Sequence, residues 1–347
     1  MPNPLAVDLD RVLALAPEEW EALRGARLFI TGGTGFFGCW LLESIAWANR
    51  QLGLGIHATV LSRDPERFRH KAPHLASDSA FRFHAGDIRD FTFPDGAFSH
   101  VIHAATEASA QLNDDSPLTM FDTIVQGTRR CLEFAAARGA SGFLFTSSGA
   151  VYGKQPAELA HVPETFLGAP DPLDRRSAYA EGKRAAETEC VLFSHRGLPV
   201  KIARCFAFVG PYMDLDAHFA IGNFIRDQMR GGPIRVQGDG LPVRSYMYAT
   251  DLVVWLWTIL LRGTAGRAYN VGSEESISIA ELAQTVAAAL SPRVEVEIAG
   301  HANRAGAANY YVPSTARARE ELGLRCNTPL LEAIQHTHAW FTIEANR

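Results

Sequence analysis

Residues 27–38, RLFITGGTGFFG, restrict the fold of this chain more than any other stretch. Leu28, Phe29 and Ile30 form a short apolar run, the pattern of a strand buried on both faces, and Thr31 ends it. Gly32, Gly35 and Gly38 follow, three residues apart, and an apolar helical pattern continues through 37–47. Each glycine has its own task. Gly32 allows the turn off the strand, Gly35 lets a pyrophosphate approach the backbone with no Cβ between, and Gly38 lets the helix pack on the strand. The free N–H groups and the dipole of the helix N-terminus then attract the anion. A strand, a glycine turn and a helix in this order predict a dinucleotide site, with Thr34, Phe36 and Phe37 completing the turn.

The rest of the first half continues the alternation. Strands are expected at 57–61, 81–84, 101–105, 142–146 and 200–204, with helices at 37–49, 117–137 and 176–194 between them. That pattern predicts an α/β fold, a doubly wound parallel sheet of Rossmann type. The chain has 347 residues, beyond the roughly 250–300 at which one core stops growing, so a second and smaller lobe is expected. The division reads as a helical lead-in at 1–25, a dinucleotide-binding domain at 26–205 to which 244–272 returns, and a C-terminal substrate lobe from 206–243 and 273–347. In that lobe, 279–290 reads as an amphipathic helix capped by Ser276, 294–298 as a strand, and 300–308 as a polar loop carrying Arg304.

Composition removes several function classes. The net charge is -5 and there is no Lys/Arg block, which argues against nucleic acid as a partner. No apolar run reaches the ~18 residues of a membrane span; residues 252–261 read as a buried helix. The N-terminus has no basic segment before an apolar one, unlike a secretory signal. Five cysteines, far apart and without a CxxC pair, suit a reduced cytoplasmic protein. His336 and His338 would not share a helix face, and no other histidine has metal-ligand spacing, so no metal is expected.

The end of the second strand bears on the cofactor. NAD sites usually carry an Asp or Glu there for the adenine ribose. Here Ser62 and Arg63 stand in its place, and a guanidinium pairs with a 2′-phosphate, so NADP is favoured over NAD. Asp64 serving the ribose is the alternative, with Arg63 a plain loop arginine. Asp87 and Ile88 are candidates to flank the adenine, and the small Ala104 and Ala105, with Thr106, let the cofactor pass close.

Tyr179 and Lys183 are four apart on a helix and project from one face. A tyrosine at pKa ~10 is a poor base at neutral pH, and a neighbouring ammonium lowers it. Ser148, at the end of the fifth strand, can hydrogen-bond the same reacting oxygen. Three such groups over a dinucleotide suit hydride transfer at a carbonyl carbon, with Tyr179 moving the proton and Lys183 also holding the nicotinamide ribose.

The chain resembles the extended short-chain dehydrogenase/reductases, the NAD(P)-dependent nucleotide-sugar epimerase/dehydratase family. The matching pieces are TGGTGFFG at 31–38, GDIRD at 86–90, HAAT at 103–106, SSGAVYG at 147–153, YAEGK at 179–183, ARCFAFVGP at 203–211 and RSYMYATDL at 244–252. The resemblance implies a catalytic Ser148, Tyr179 and Lys183, a nucleotide-diphosphate sugar as substrate, and a homodimer. It also implies that Arg244 binds the diphosphate and that Arg204 precedes a segment lining the nucleotide site. Glu107, Gly149, Asn223, Arg235 and Arg304 are further candidate substrate contacts.

The departures from the family pattern narrow the reaction. Dehydratases of the family carry an Asp-Glu pair just after the triad Ser/Thr, and decarboxylases carry a Glu there. This chain has Gly149 and Ala150, which cannot move a proton, so 4,6-dehydration is not expected. Two asparagines of the pattern are Ala207 and Ile124 here. What remains is hydride exchange at one sugar carbon, C4. The expectation is an NADPH-dependent reductase of a 4-keto sugar nucleotide, with an NAD-dependent 4-epimerase as the alternative. A non-catalytic NAD(P)-sensing protein is the reading from another class, and the intact triad argues against it.

Overall fold

A computed structural model of the chain describes residues 3–105, 110–300 and 309–345. Its central sheet has β1 (Arg27–Thr31), β2 (His57–Ser62), β3 (Phe81–Ala85), β4 (His100–His103), β5 (Gly142–Ser148), β6 (Val200–Cys205) and the strand Ala268–Val271. The order across the sheet is Ala268–Val271, β6, β5, β4, β1, β2, β3, and every pairing is parallel. The chain runs outward from β1 to β3, then returns to β4 on the other side of β1. The direction of winding reverses between β1 and β4, and the crevice at their C-terminal ends is where such sheets bind ligands.

Side chains alternate across the sheet and give each face its own core. Leu28 and Ile30 join one face, which is covered by α1 (Ala6–Leu15), α2 (Pro17–Ala22), α3 (Phe36–Leu52) and the helix Ala249–Arg262. Trp20 of α2 meets Trp257 edge-on at 5.6 Å there, so the residues before β1 are part of this core. Between β2 and β3 run the short helices α4 (Pro65–Lys71) and α5 (Pro73–Ala76). Phe29, Val101, Phe143 and Phe145 point the other way. They are covered by α7 (Pro117–Ala137) and α8 (Ala178–His195), with the short α6 (Ala110–Asp115) before them. Gly127 of α7 leaves room for Ile88: a Cβ there would lie 2.9 Å from the Ile88 side chain.

A separate cluster holds the C-terminal part. The helices Ala220–Met229, Ile279–Ala289 and Leu330–Ala345 enclose the paired strands Ile234–Val236 and Val296–Ile298. Beside them Val243–Arg244 pairs with Ile277–Ser278 on one side and Tyr310–Tyr311 on the other. The helix cap expected at Ser276 is Ser278. The helix starts at Ile279 as expected, Ile277 and Ser278 are held by strand pairing before it, and Ser278 and Glu281 form a reciprocal capping box. The strand expected at 294–298 spans only Val296–Ile298.

Candidate active site

The glycine turn has the geometry its spacing predicts. Gly32 has φ +70°, and a Cβ on it would lie 2.4 Å from the Ala104 carbonyl oxygen, so the turn packs against the end of β4. A Cβ on Gly38 would meet Gly33 and Gly32 backbone at 2.2 and 2.3 Å. Gly35 differs: it is exposed, and a Cβ there would touch only the Gly32 oxygen, at 3.4 Å. Two glycines are therefore needed by the fold, and the third faces open space at the N-cap of α3. No side chain caps that helix, whose first N–H groups are thus left to an anion. The cradle fits a dinucleotide pyrophosphate.

The turn is anchored beneath by a buried histidine. His103 bonds Thr31 Oγ1 through Nδ1 at 2.7 Å and Thr128 Oγ1 through Nε2 at 3.1 Å, and Thr31 Oγ1 accepts from the Ala105 N–H. Burial, with Lys183 nearby, pushes the His103 pKa down to about 3. The unfolded chain takes up this proton near pH 6.5 and the folded one does not, so stability is complete above pH 6.5 and falls as pH drops toward 3. The expected contribution is about 1.4 kcal/mol per pH unit below 6. Urea unfolding at pH 6 and pH 5 measures it, and His103→Asn should flatten the slope. An unchanged slope in that variant would assign the acid sensitivity elsewhere.

The end of β2 carries the residues weighed for the adenosine end of a dinucleotide. Asp64 caps α4, its Oδ1 accepting from the Arg67 N–H at 2.9 Å, and Ser62 Oγ accepts from the Asp64 N–H at 3.2 Å. The carboxylate that could have served a ribose is thus engaged with the backbone of its own helix. Asp87 is held bidentately by Arg89, at 2.8 and 3.1 Å. That contact, with Arg63 also near, holds its carboxyl below the usual range. Ile88 is buried against Gly127 of α7. Sequence reasoning missed Lys71: from the last turn of α4 its Nζ donates to the Thr34 carbonyl at 2.9 Å. A second cation thus stands at the rim of the glycine turn.

Ser148, Tyr179 and Lys183 converge at the C-terminal end of β5. Ser148 Oγ accepts from the Ala150 N–H at 3.1 Å, as the chain turns into a single 3-10 turn. Tyr179 opens α8, where Asn113 Oδ1 accepts from its N–H at 3.0 Å; this anchor had no sequence signal. Lys183 lies one turn on, buried, its Nζ donating to the Thr146 carbonyl at 2.7 Å and 4.7 Å from the Phe145 ring centre. Burial pushes Lys183 down to about 8 and Tyr179 up to about 12, while contact with Ser148 draws Tyr179 the other way. The expected lowering of the phenol by Lys183 is absent from the chain by itself. Desolvation outweighs the hydrogen bond to Ser148, and the phenol holds its proton at neutral pH.

Arg244 is linked to this cluster through Tyr311. Its Nη1 donates to the Val243 and Asn309 carbonyls, and its guanidinium carbon is 5.9 Å from the Tyr311 ring centre. The Tyr311 hydroxyl in turn is 3.4 Å from Ser148 Oγ. Gly149 lies under Phe206 and Tyr311, which a Cβ would meet at 2.7 and 2.8 Å. Two other candidates have partners within the chain. Arg235 is exposed and pairs with Glu297 across its strand pair, and Asn223 donates to the Leu215 and Ala217 carbonyls, holding that loop to its helix. Arg204 is bound to both oxygens of Glu187, at 2.7 to 3.3 Å, and to the Tyr152 hydroxyl, a structural tie between β6 and α8. Thr106, Glu107 and Arg304 lie outside the described residues. Among the described residues no group of three or more His, Cys, Asp or Glu can hold a metal ion, and no helix is long and apolar enough to cross a membrane.

Comparison with known proteins agrees with this layout. Residues 28–272 match the family model described as the NAD-dependent epimerase/dehydratase family. The chain belongs to that family. Its likeness to curated family proteins covers most of its length: UDP-glucuronic acid decarboxylase 1 of Arabidopsis thaliana is 31% identical over 310 residues, 89% of this chain and 68% of that protein. Solved structures share the fold. A UDP-glucose 4-epimerase of Thermotoga maritima with UDP-glucose superposes with TM-score 0.77 at 21% identity, covering 92% of this chain and 99% of the other. A dTDP-glucose 4,6-dehydratase of Streptomyces venezuelae with NAD bound gives 0.77 at 24%, covering 92% and 98%. As a family member the chain is an extended short-chain dehydrogenase/reductase.

Proposed function

We propose that this family member transfers hydride at C4 of a nucleotide-diphosphate sugar, as an NADPH-dependent reductase of a 4-keto sugar nucleotide. The observation that carries this reading is the triad itself, with no acid or base at the two positions that follow Ser148. Ser148, Tyr179 and Lys183 come together, while Gly149 and Ala150 offer no acid or base beside them. Decarboxylation and dehydration each need a further group to move a proton or to steer an elimination, and Gly149 and Ala150 do not supply one, which favours simple hydride transfer.

Bound NADPH supplies the hydride. The chain supplies the rest: Tyr179 gives its proton to O4 as the carbonyl is reduced, and solvent restores it afterwards. Ser148 Oγ holds the same oxygen. A phenol near 12 is in the acid form this direction requires. Lys183 is positioned to hold the nicotinamide ribose and to return charge to the phenol. Arg244 is the proposed diphosphate clamp, its fork suited to paired oxygens. Ser62, Arg63 and Lys71 receive the 2′-phosphate. A 4-epimerase that retains NAD uses the same three groups, and the NAD in the Streptomyces structure favours that second reading.

One experiment separates them. The purified protein is denatured and the released dinucleotide identified, and UDP-glucuronic acid is then offered with NAD or NADP. The expected result is a protein that is empty or carries NADP, binds NADPH more tightly than NADH and releases no carbon dioxide. Stoichiometric NAD would give the epimerase reading precedence, and carbon dioxide release would overturn both.

A further inference from the structure

Tyr311 belongs to the second lobe, far in sequence from the triad, yet its hydroxyl lies within the triad's reach. The strand Tyr310–Tyr311 pairs in parallel with Val243–Arg244, with Tyr311 opposite Arg244. The Tyr311 ring packs on Phe206 at 4.7 Å between centres. Its hydroxyl is 3.4 Å from Ser148 Oγ and donates to the Cys205 carbonyl at 3.5 Å. β5 and β6 bring those two partners side by side, since Ser148 and Cys205 are in register. The Tyr311 hydroxyl also occupies the space that a side chain at Gly149 would enter. In this chain a phenol from the other lobe therefore fills the position next to Ser148.

We propose that Tyr311 is a positioning residue that orients the Ser148 hydroxyl toward the reacting oxygen and ties that orientation to Arg244 in the diphosphate site. The inference rests on the triad reading above. Ser148 already accepts from the Ala150 N–H, so its remaining capacity is shared among Tyr179, Tyr311 and substrate. A second phenol within reach of Ser148 Oγ limits where the serine hydrogen can point. Burial raises the Tyr311 phenol, which keeps it a neutral hydroxyl and not a competing base. Because Tyr311 is paired with Arg244, movement of the strand that grips the diphosphate moves the hydroxyl at Ser148 as well.

The test uses Tyr311→Phe, which keeps the ring on Phe206 and beside Arg244 and removes only the hydroxyl. Turnover is read on a panel that covers both directions: at 340 nm with NADPH and UDP- or dTDP-linked 4-keto sugars, and by chromatography of C4 epimers with UDP-glucose, dTDP-glucose and UDP-glucuronic acid. The expected result is a kcat about tenfold lower, the loss of one hydrogen bond, with KM for the sugar nucleotide and the affinity for NADPH within twofold of wild type. In a Ser148→Ala background the same substitution should cost less than about twofold more, because the two residues act as one unit. An unchanged kcat, or equal losses in both backgrounds, overturns the role. Tyr311→Met serves as the second variant if the first is poorly folded, with the same two criteria. Tyr179→Phe separates the levels. If it is inactive while Tyr311→Phe is normal, only the Tyr311 role fails. If Tyr179→Phe turns over like wild type, or wild type reacts with no member of the panel, the triad reading fails and this role goes with it.

Discussion

Tyr179→Phe is expected to lower turnover by about 10²- to 10⁴-fold while NADPH still binds with wild-type affinity. The substitution removes one oxygen from the first turn of α8 and nothing that the fold uses. The backbone N–H of residue 179 remains bonded to Asn113 Oδ1, and the ring remains packed on the core face covered by α7 and α8. Within the Ser148, Tyr179 and Lys183 set, the phenol is the group suited to supply a proton to the reacting oxygen. Ser148 is an ordinary hydroxyl, and Lys183, drawn down to about 8, has its ammonium on the Thr146 carbonyl. A loss confined to kcat, with the NADPH dissociation constant unchanged by fluorescence titration, is the signature of proton transfer. A variant retaining more than a tenth of the activity would remove Tyr179 from the chemistry. A protein that only senses NAD(P) would be indifferent to the change.

How much of this was legible depends on how local each feature is. The glycine turn is local: strand, turn and helix are adjacent in sequence, and the steric demands at Gly32 and Gly38 follow directly from that adjacency. The sheet order follows from alternation of strands with helices, because crossover rules leave few arrangements. Tyr179 and Lys183 were legible because one helical turn fixes their relation. Tyr311 was not, since its place beside Ser148 depends on a strand pairing between segments far apart in sequence. The partners of Arg235 and Asn223 were hidden for the same reason. A charged or amide side chain in a substrate lobe looks available until the neighbouring strand or loop that engages it is known. The Ser276 cap failed locally: Ser278, three residues before Glu281, carries the capping-box spacing, and the earlier serine does not.

Arg63→Ala should weaken NADPH binding by about 10- to 100-fold and leave NADH nearly unchanged, the worth of one charge-assisted contact to a phosphate. The geometry makes this selective. Asp64 is engaged as the cap of α4 and Asp87 is held by Arg89, so neither carboxylate stands free to repel a 2′-phosphate or to serve a ribose in its place. Lys71, donating to the Thr34 carbonyl across the mouth of the glycine turn, adds positive charge on the same side. It exchanges a carbonyl, not a carboxylate, for a phosphate oxygen, so the cost of release is small. Lys71→Ala should therefore give a weaker effect in the same direction, and the double variant should bind the two cofactors about equally. Titration of both nucleotides against all three variants decides the point. Equal losses for NADPH and NADH would mean that Arg63 supports the loop without reading the phosphate. Wild-type affinity for NADH above that for NADPH would move the cofactor assignment to NAD, and with it the balance from reductase to epimerase.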